Sequence, residues 1–439
     1  MPDLRRELTP WDGVALVIGI TMGVGIFAVP GRVAAYLPSV PAVSGAWLLA
    51  ALSAVLGGMI YAELGSRFPK TGGEYIYLQQ AFGPGVSFVY GWAQLLVIRT
   101  NPAAALSLAT AEYVAYFIPM DADARVLFAV GILAALGIAN FFGLKSGSTV
   151  QMATMLAKVG GCLIFIAAGA LLVREYGPNL ASVHEPTRSL GPVGSFASVM
   201  LLTIFTFTGW DRVGFLAGEM KNPVRDIPRA LFYGIGALTI IYFTMNIYYH
   251  SILSMEEISG SLRAASDAAE RILGPAGGAL IAITVAISAT GSTNGTIMSC
   301  SRIYYAMARD GLFFQSLAKV HPRYHSPHIA ILAHCGWAVV LLLFGRNLET
   351  FISSLVFVVL ISYALMTFAL IKARIRGAGE PNCYRMPLYP LPAILYLLII
   401  AAMTVTTCYF QPLAAALNLT LVATGIPFYF IWKRRRIAP

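Results

Sequence analysis

Apolar runs long enough to cross a bilayer recur from one end of this chain to the other, and nothing else in it restricts folding as strongly. A helix rises about 1.5 Å per residue, so about 20 apolar residues cross the hydrocarbon core. About twelve such runs can be read, at 12–37, 42–64, 86–118, 125–142, 149–173, 196–217, 228–252, 276–306, 327–345, 350–372, 388–410 and 413–432. Mean hydropathy is +0.73, with 58% hydrophobic and 11% charged residues, which excludes a soluble globular domain. In lipid a span must satisfy its own backbone polar groups, so the expected fold is all-α, a polytopic membrane protein of twelve transmembrane helices.

The net charge of +10 would suit nucleic acid, but its placement reads as topology. With the N-terminus inside, most Lys and Arg fall on the inner side, among them Arg5, Arg6, Arg67, Lys70, Lys145, Lys221, Arg225, Arg302, Arg309, Arg323, Arg374 and the tail Lys433 to Arg436. The outer side keeps Arg32, Arg125, Arg174, Arg188, Arg263, Arg271 and Arg346. Both termini are therefore expected in the cytoplasm of a cell (inner or plasma) membrane, with the bilayer and no nucleic acid as partner. No small-residue cleavage site follows the first run, which predicts a retained anchor. The cysteines at 162, 300, 335, 383 and 408 have neither metal nor disulfide spacing and read as apolar packing residues.

Two spans carry breaks. The first contains Gly19-Ile20-Thr21-Met22-Gly23-Val24-Gly25-Ile26-Phe27, and glycine lets a backbone leave helical dihedrals. Gly19 and Gly23 also have the spacing of a close helix contact, so packing and a half-helix N-terminus both fit. The sixth has Phe205-Thr206-Phe207-Thr208-Gly209-Trp210-Asp211, where Gly209 permits a turn and Asp211 can cap a new half-helix or respond to protonation. Each break is followed by four more spans. Interrupted helices in corresponding places predict two inverted repeats with a site between them. The expected boundaries are an N-terminus at 1–11, a first repeat at 12–173, an outer connector at 174–195, a second repeat at 196–372, two further helices at 373–432 and a tail at 433–439.

Charges within spans need partners. Arg99 falls near mid-bilayer and predicts either an internal ion pair or a substrate contact. Lys158 lies deep in the fifth span, where it snorkels, titrates, or stands as a fixed charge. Ser288, Ser292, Gly295 or Thr296, and Ser299 form a small hydroxyl stripe on the eighth span. No HExxH or GxSxG motif is present, so an enzyme is not expected. His321, His325 and His328 have a spacing that a metal could use, but they lie in a Pro-containing loop and no metal or other cofactor is expected.

Several stretches resemble the amino acid, polyamine and organocation (APC) transporter superfamily, most closely its L-type amino acid transporter family and bacterial relatives. They are Gly23 to Phe27, Tyr61-Ala62-Glu63-Leu64 with Phe68 to Tyr75, Gly218 to Pro223 through Arg229-Ala230, and Asn294-Gly295 with Ser301-Arg302, in order over about residues 8 to 435. The resemblance implies a five-plus-five inverted repeat, like that of the sodium-coupled leucine transporter, with discontinuous helices 1 and 6 and alternating access. It implies that the amides from Gly23 to Ile26, including Val24 and Gly25, receive a substrate carboxylate. Carbonyls near Thr21 and at Phe205 and Thr208 would receive the ammonium group, with Met22, Thr206 and Gly209 in the same shell. Phe205 resembles the closing aromatic gate and Trp210 the bulky residue beside the side-chain pocket. Lys158 resembles a lysine standing where sodium-coupled relatives hold an ion, bridging Gly19 of span one to Ser288 and Ser292 of span eight.

Two departures from the family pattern carry information. Val24 stands where many relatives have a hydroxyl residue, leaving carboxylate recognition to backbone. The loop from Pro119 to Arg125 lacks the cysteine that joins animal relatives to a glycoprotein, so no disulfide-linked heavy chain is expected. The function expected is sodium-independent transport of neutral L-amino acids, by exchange. Proton symport, polyamine transport and an amino acid-binding membrane sensor are the alternatives.

Overall fold

The computed structural model describes residues 4–173, 180–181, 183–261, 263–345, 356–410 and 412–437. Arg174, Arg346 and the start of the tenth expected span lie outside the described residues. No strand is present among those described; two isolated bridges, Leu8 to Met220 and Ser39 to Val183, are the only β-type pairings there.

The first span is two helices, α1 (Pro10–Thr21) and α2 (Gly25–Ala34), bent by 41° at their junction. Thr9 and Asp12 form a reciprocal capping box that fixes where α1 begins. Next come α3 (Val40–Arg67), a short α4 (Glu74–Phe82), and α5 (Pro84–Ala93), which passes through a π segment at Gln94–Ile98 into α6 (Thr100–Val114). Helices α7 (Ala122–Phe141) and α8 (Leu144–Leu172) complete the first half. Helix α9 (Gly191–Thr206) ends at the second break and continues as a 3-10 segment, Trp210–Glu219. Helix α10 (Pro223–Ile252) follows, then the short α11 (Met255–Gly260) and α12 (Ala264–Leu273), then α13 (Pro275–Arg309). The chain closes with α14 (His328–Gly345), α15 (Val356–Ile375), α16 (Leu391–Phe410), α17 (Pro412–Ala423) and α18 (Gly425–Ile437).

Nine of the described helices are long and apolar enough to cross a membrane, ten if the bent first pair is one span. The difference from the expected twelve has local causes. The π segment divides the third expected run into pieces too short alone, and the apolar part of the ninth, His328–Phe344, ends just before residues 346–355, which lie outside those described. The exposed surface is rich in Leu, Ile and Phe, as a lipid-facing surface must be.

At one end of the bundle the N-terminal arm crosses to the end of the 3-10 segment, where the Glu7 and Leu8 amides donate to the Glu219 carbonyl at 2.9 and 3.0 Å. We call this the arm face. At the opposite end His184 Nε2 sits 2.9 Å from the Ala34 carbonyl, and its amide donates to Pro38, strapping the connector over the end of α2.

Candidate functional site

The two breaks pack directly against each other. A Cβ added at Gly25 would lie 2.8 Å from Thr206 Cγ2, and one at Gly209 would lie 3.1 Å from the Thr21 amide nitrogen. Gly209 has φ +126°, open to glycine and rarely to other residues. The first break starts after the Met22 amide donates to Ile18 and the Gly23 amide to Thr21 at 2.8 Å. Helix α2 then begins with no side-chain cap, and the amides of Val24, Gly25 and Ile26 have no acceptor among the described residues. An uncapped N-terminus inside a membrane is an anion-accepting end.

The carbonyls freed by the same break are taken up by α8 and α13. Lys158 is fully buried, and its Nζ donates to Gly19 and Met22 carbonyls at 2.8 Å each and to the Ser288 carbonyl at 3.0 Å. It does not snorkel. Ser288 Oγ donates to Met22 O at 2.5 Å, and Ser292 Oγ to Gly19 O at 2.9 Å, so the hydroxyl stripe faces the break. Tyr242 donates to Thr21 O at 3.1 Å, and Phe205 O accepts both the amide and the hydroxyl of Thr208, at 3.0 and 2.7 Å. Those two carbonyls are thus satisfied within the protein. The Thr208 carbonyl has no donor among the described residues.

Beside the second break lies a cavity of about 40 Å³, lined by Phe205 and Thr208 together with Arg99, Pro102, Arg212, Leu360 and Tyr363 among others. Trp210 is not part of that lining. It is buried against the α3 backbone at Gly57, stacked on Tyr363 at 5.7 Å and edge-on to Tyr61 at 5.1 Å. Gly209 is the N-cap residue of the 3-10 segment, and its amide donates to Asp211 Oδ1 at 3.2 Å. The other carboxylate oxygen of Asp211 meets Arg99, with Nη2 2.5 Å from Oδ2.

Arg99 is the hub of a network that the sequence reading leaves without partners. Its Nη2 also reaches Glu74 Oε2 at 3.0 Å and its Nε donates to Gln94 Oε1 at 2.7 Å, while Tyr61 and Tyr90 donate to Glu74. Glu74 ends a connector, Arg67 to Gly73, that is rich in Pro, Gly and charge. Two glycines at positive φ, Gly72 and Gly73, fold that connector back so that α4 buries its first turn. A second missed chain runs through spans four, five and eight: Asn140 to Asn294 at 2.8 Å, Asn294 to Gln151 at 3.0 Å, and Gln151 to the Ala15 carbonyl at 3.4 Å. Single polar residues in apolar runs were the only signal for it. His321 Nδ1 accepts the amides of Arg323 and Tyr324, a use within its own turn, and among the described residues no three metal-ligating groups converge.

The Amino acid permease family profile matches residues 8–427. The chain belongs to that family. The permease is 31% identical over 436 residues to the Serine/threonine exchanger SteT of Bacillus subtilis, covering 99% of this chain and 98% of that protein. It is 28% identical to the human Cystine/glutamate transporter (98% and 87% covered) and 27% identical to the mouse b(0,+)-type amino acid transporter 1 (98% and 88% covered). It is an integral, multi-pass amino acid transporter and not an enzyme. Its all-α architecture with a broken first span fits the five-plus-five fold that the resemblance implies.

Proposed function

We propose that the permease exchanges neutral L-amino acids across a cell membrane without sodium, binding them between the two breaks. The observation that carries this reading is the row of unpaired amides at Val24, Gly25 and Ile26, held against the second break. An amino acid is a zwitterion. Its carboxylate is complemented by those amides and the helix dipole, and its ammonium group by the unpaired Thr208 carbonyl, with no charged side chain needed. Phe205, which lines the adjoining cavity, serves as the gate.

Sodium independence is supported by Lys158, whose ammonium group already occupies the carbonyls that a bound cation would need. Exchange is supported by the Bacillus subtilis relative, which is named as an exchanger. Twelve spans with both termini in the cytoplasm belong to this reading, supported by the basic residues that gather at the arm face, as does a chain that needs no disulfide-linked heavy chain.

Proteoliposomes loaded with amino acid or with buffer alone test it, using labelled neutral amino acids and separate pH and sodium gradients. Uptake only with internal amino acid, insensitive to sodium, is the expected result. Uptake into buffer-loaded vesicles driven by an inward proton gradient would replace exchange by symport with Lys158 as the titrating group. Binding without uptake would make the protein a sensor.

A further inference from the structure

Arg212 is the buried cation least provided for near the cavity. It is 7% exposed, its Nη1 donates to Thr296 Oγ1, and its Nε–H has no acceptor among the described residues. It lines the cavity beside Phe205 and Thr208, as does Arg99. Arg99 is matched by two carboxylates, Glu74 and Asp211, so the formal charges of these four groups sum to zero. The cluster beside the cavity is therefore neutral as a whole, while the side it turns to the cavity is rich in donors.

We propose that Arg212 selects the substrate side chain, so that the preferred amino acids carry a short neutral side chain with an oxygen acceptor, a hydroxyl or a carboxamide. This rests on the reading of the protein as an amino acid exchanger. An aliphatic side chain would leave the Nε–H buried and unmet, which is the situation that polar sites discriminate against most strongly. A carboxylate would satisfy the donor but give the balanced cluster a net negative charge in a low-dielectric setting, and a cationic side chain would face two guanidinium groups. The small cavity favours a short side chain. A substrate hydroxyl also needs an acceptor for its own proton. Thr208 Oγ1, whose proton is given to Phe205 O, has lone pairs for it.

The decisive pair is L-threonine and L-valine, equal in size and different in one hydroxyl. Homo-exchange of each, with L-serine, L-asparagine and L-glutamate, is measured in proteoliposomes for wild type and Arg212→Met. The expected wild-type kcat/KM for L-threonine exceeds that for L-valine at least about tenfold, and Arg212→Met brings the ratio to about one with L-valine exchange retained. Equal wild-type rates, or an unchanged ratio in the variant, overturn the proposal. If wild type exchanges none of the amino acids, the exchanger reading itself has failed. Thr296→Ser keeps the hydroxyl that accepts from Arg212 Nη1 and is expected to keep the ratio; its collapse there would assign selection to Thr296 instead. Should Arg212→Met not purify as folded protein, Asp211→Asn decides. It leaves the cluster one positive charge in excess, and L-glutamate exchange is expected to rise at least about tenfold relative to L-threonine. No rise in the folded variant overturns the charge-balance argument.

Discussion

Gly209 and Gly23 separate two roles that glycine plays at the breaks. At Gly209 a Cβ would be strained by φ +126° and pressed to 3.0 Å from Ile20 Cγ2. Gly209→Ala is therefore expected to cost about 1–3 kcal/mol, read as a lower thermal transition in detergent. At Gly23 the nearest atoms to an added Cβ are 3.7 Å away, so Gly23→Ala is expected to fold like wild type. Any loss in that variant should appear in the apparent affinity for amino acid, because the methyl group lies next to the free amides. Lys158→Met removes the ammonium group from three carbonyls, of which Gly19 and Met22 keep serine hydroxyl donors. Exchange is expected to fall at least about tenfold while the protein remains folded, since the backbone proposed to bind the substrate loses its support. Wild-type kinetics in that variant would exclude a part for Lys158 in the cycle.

At the level of elements, the ends of helices are held by buried ion pairs. Glu63 near the end of α3 accepts from Arg67 at 2.9 Å, from Arg374 of α15 at 2.8 and 2.5 Å, and from the Met386 amide at 2.7 Å. Glu63→Gln leaves two guanidinium groups around a neutral amide, and a loss of about 3–5 kcal/mol is expected, measured by thermal unfolding of the purified protein. The two breaks were legible in the sequence because glycines in apolar runs are local signals. The charge network was not, because Arg99 finds partners 25 and 112 residues away, in a short buried helix and beyond the second break. The π segment escaped for a related reason: its residues Gln94 to Ile98 read as ordinary helix, and only the packed structure turns Arg99 inward. Trp210, which the resemblance sets beside the pocket, fills the space left by the missing side chain of Gly57 and stacks on Tyr363, a residue of the cavity lining.

Across the whole molecule, the arm face is stitched shut by a segment with little core of its own. Leu8 pairs with Met220, the Lys221 amide returns a bond to the Leu8 carbonyl at 3.0 Å, and Arg302 anchors Glu219 at 2.8 Å. Helix α1, buried along its length from Gly13 to Thr21, is held by that stitch. Deleting residues 2–8 is expected to free α1, and a cysteine placed at the buried Ala15 should then be alkylated at least about tenfold faster, as a local opening that costs less exposes its thiol more often. An unchanged labelling rate would show that the arm does not hold the closure. Lys158 has a consequence at this same scale. A cation that is covalently part of the chain has no concentration, so no salt gradient can enter the free energy of the cycle at that position. Under the proposed exchange, what such a carrier changes is the composition of the two amino acid pools, with the sum on each side preserved.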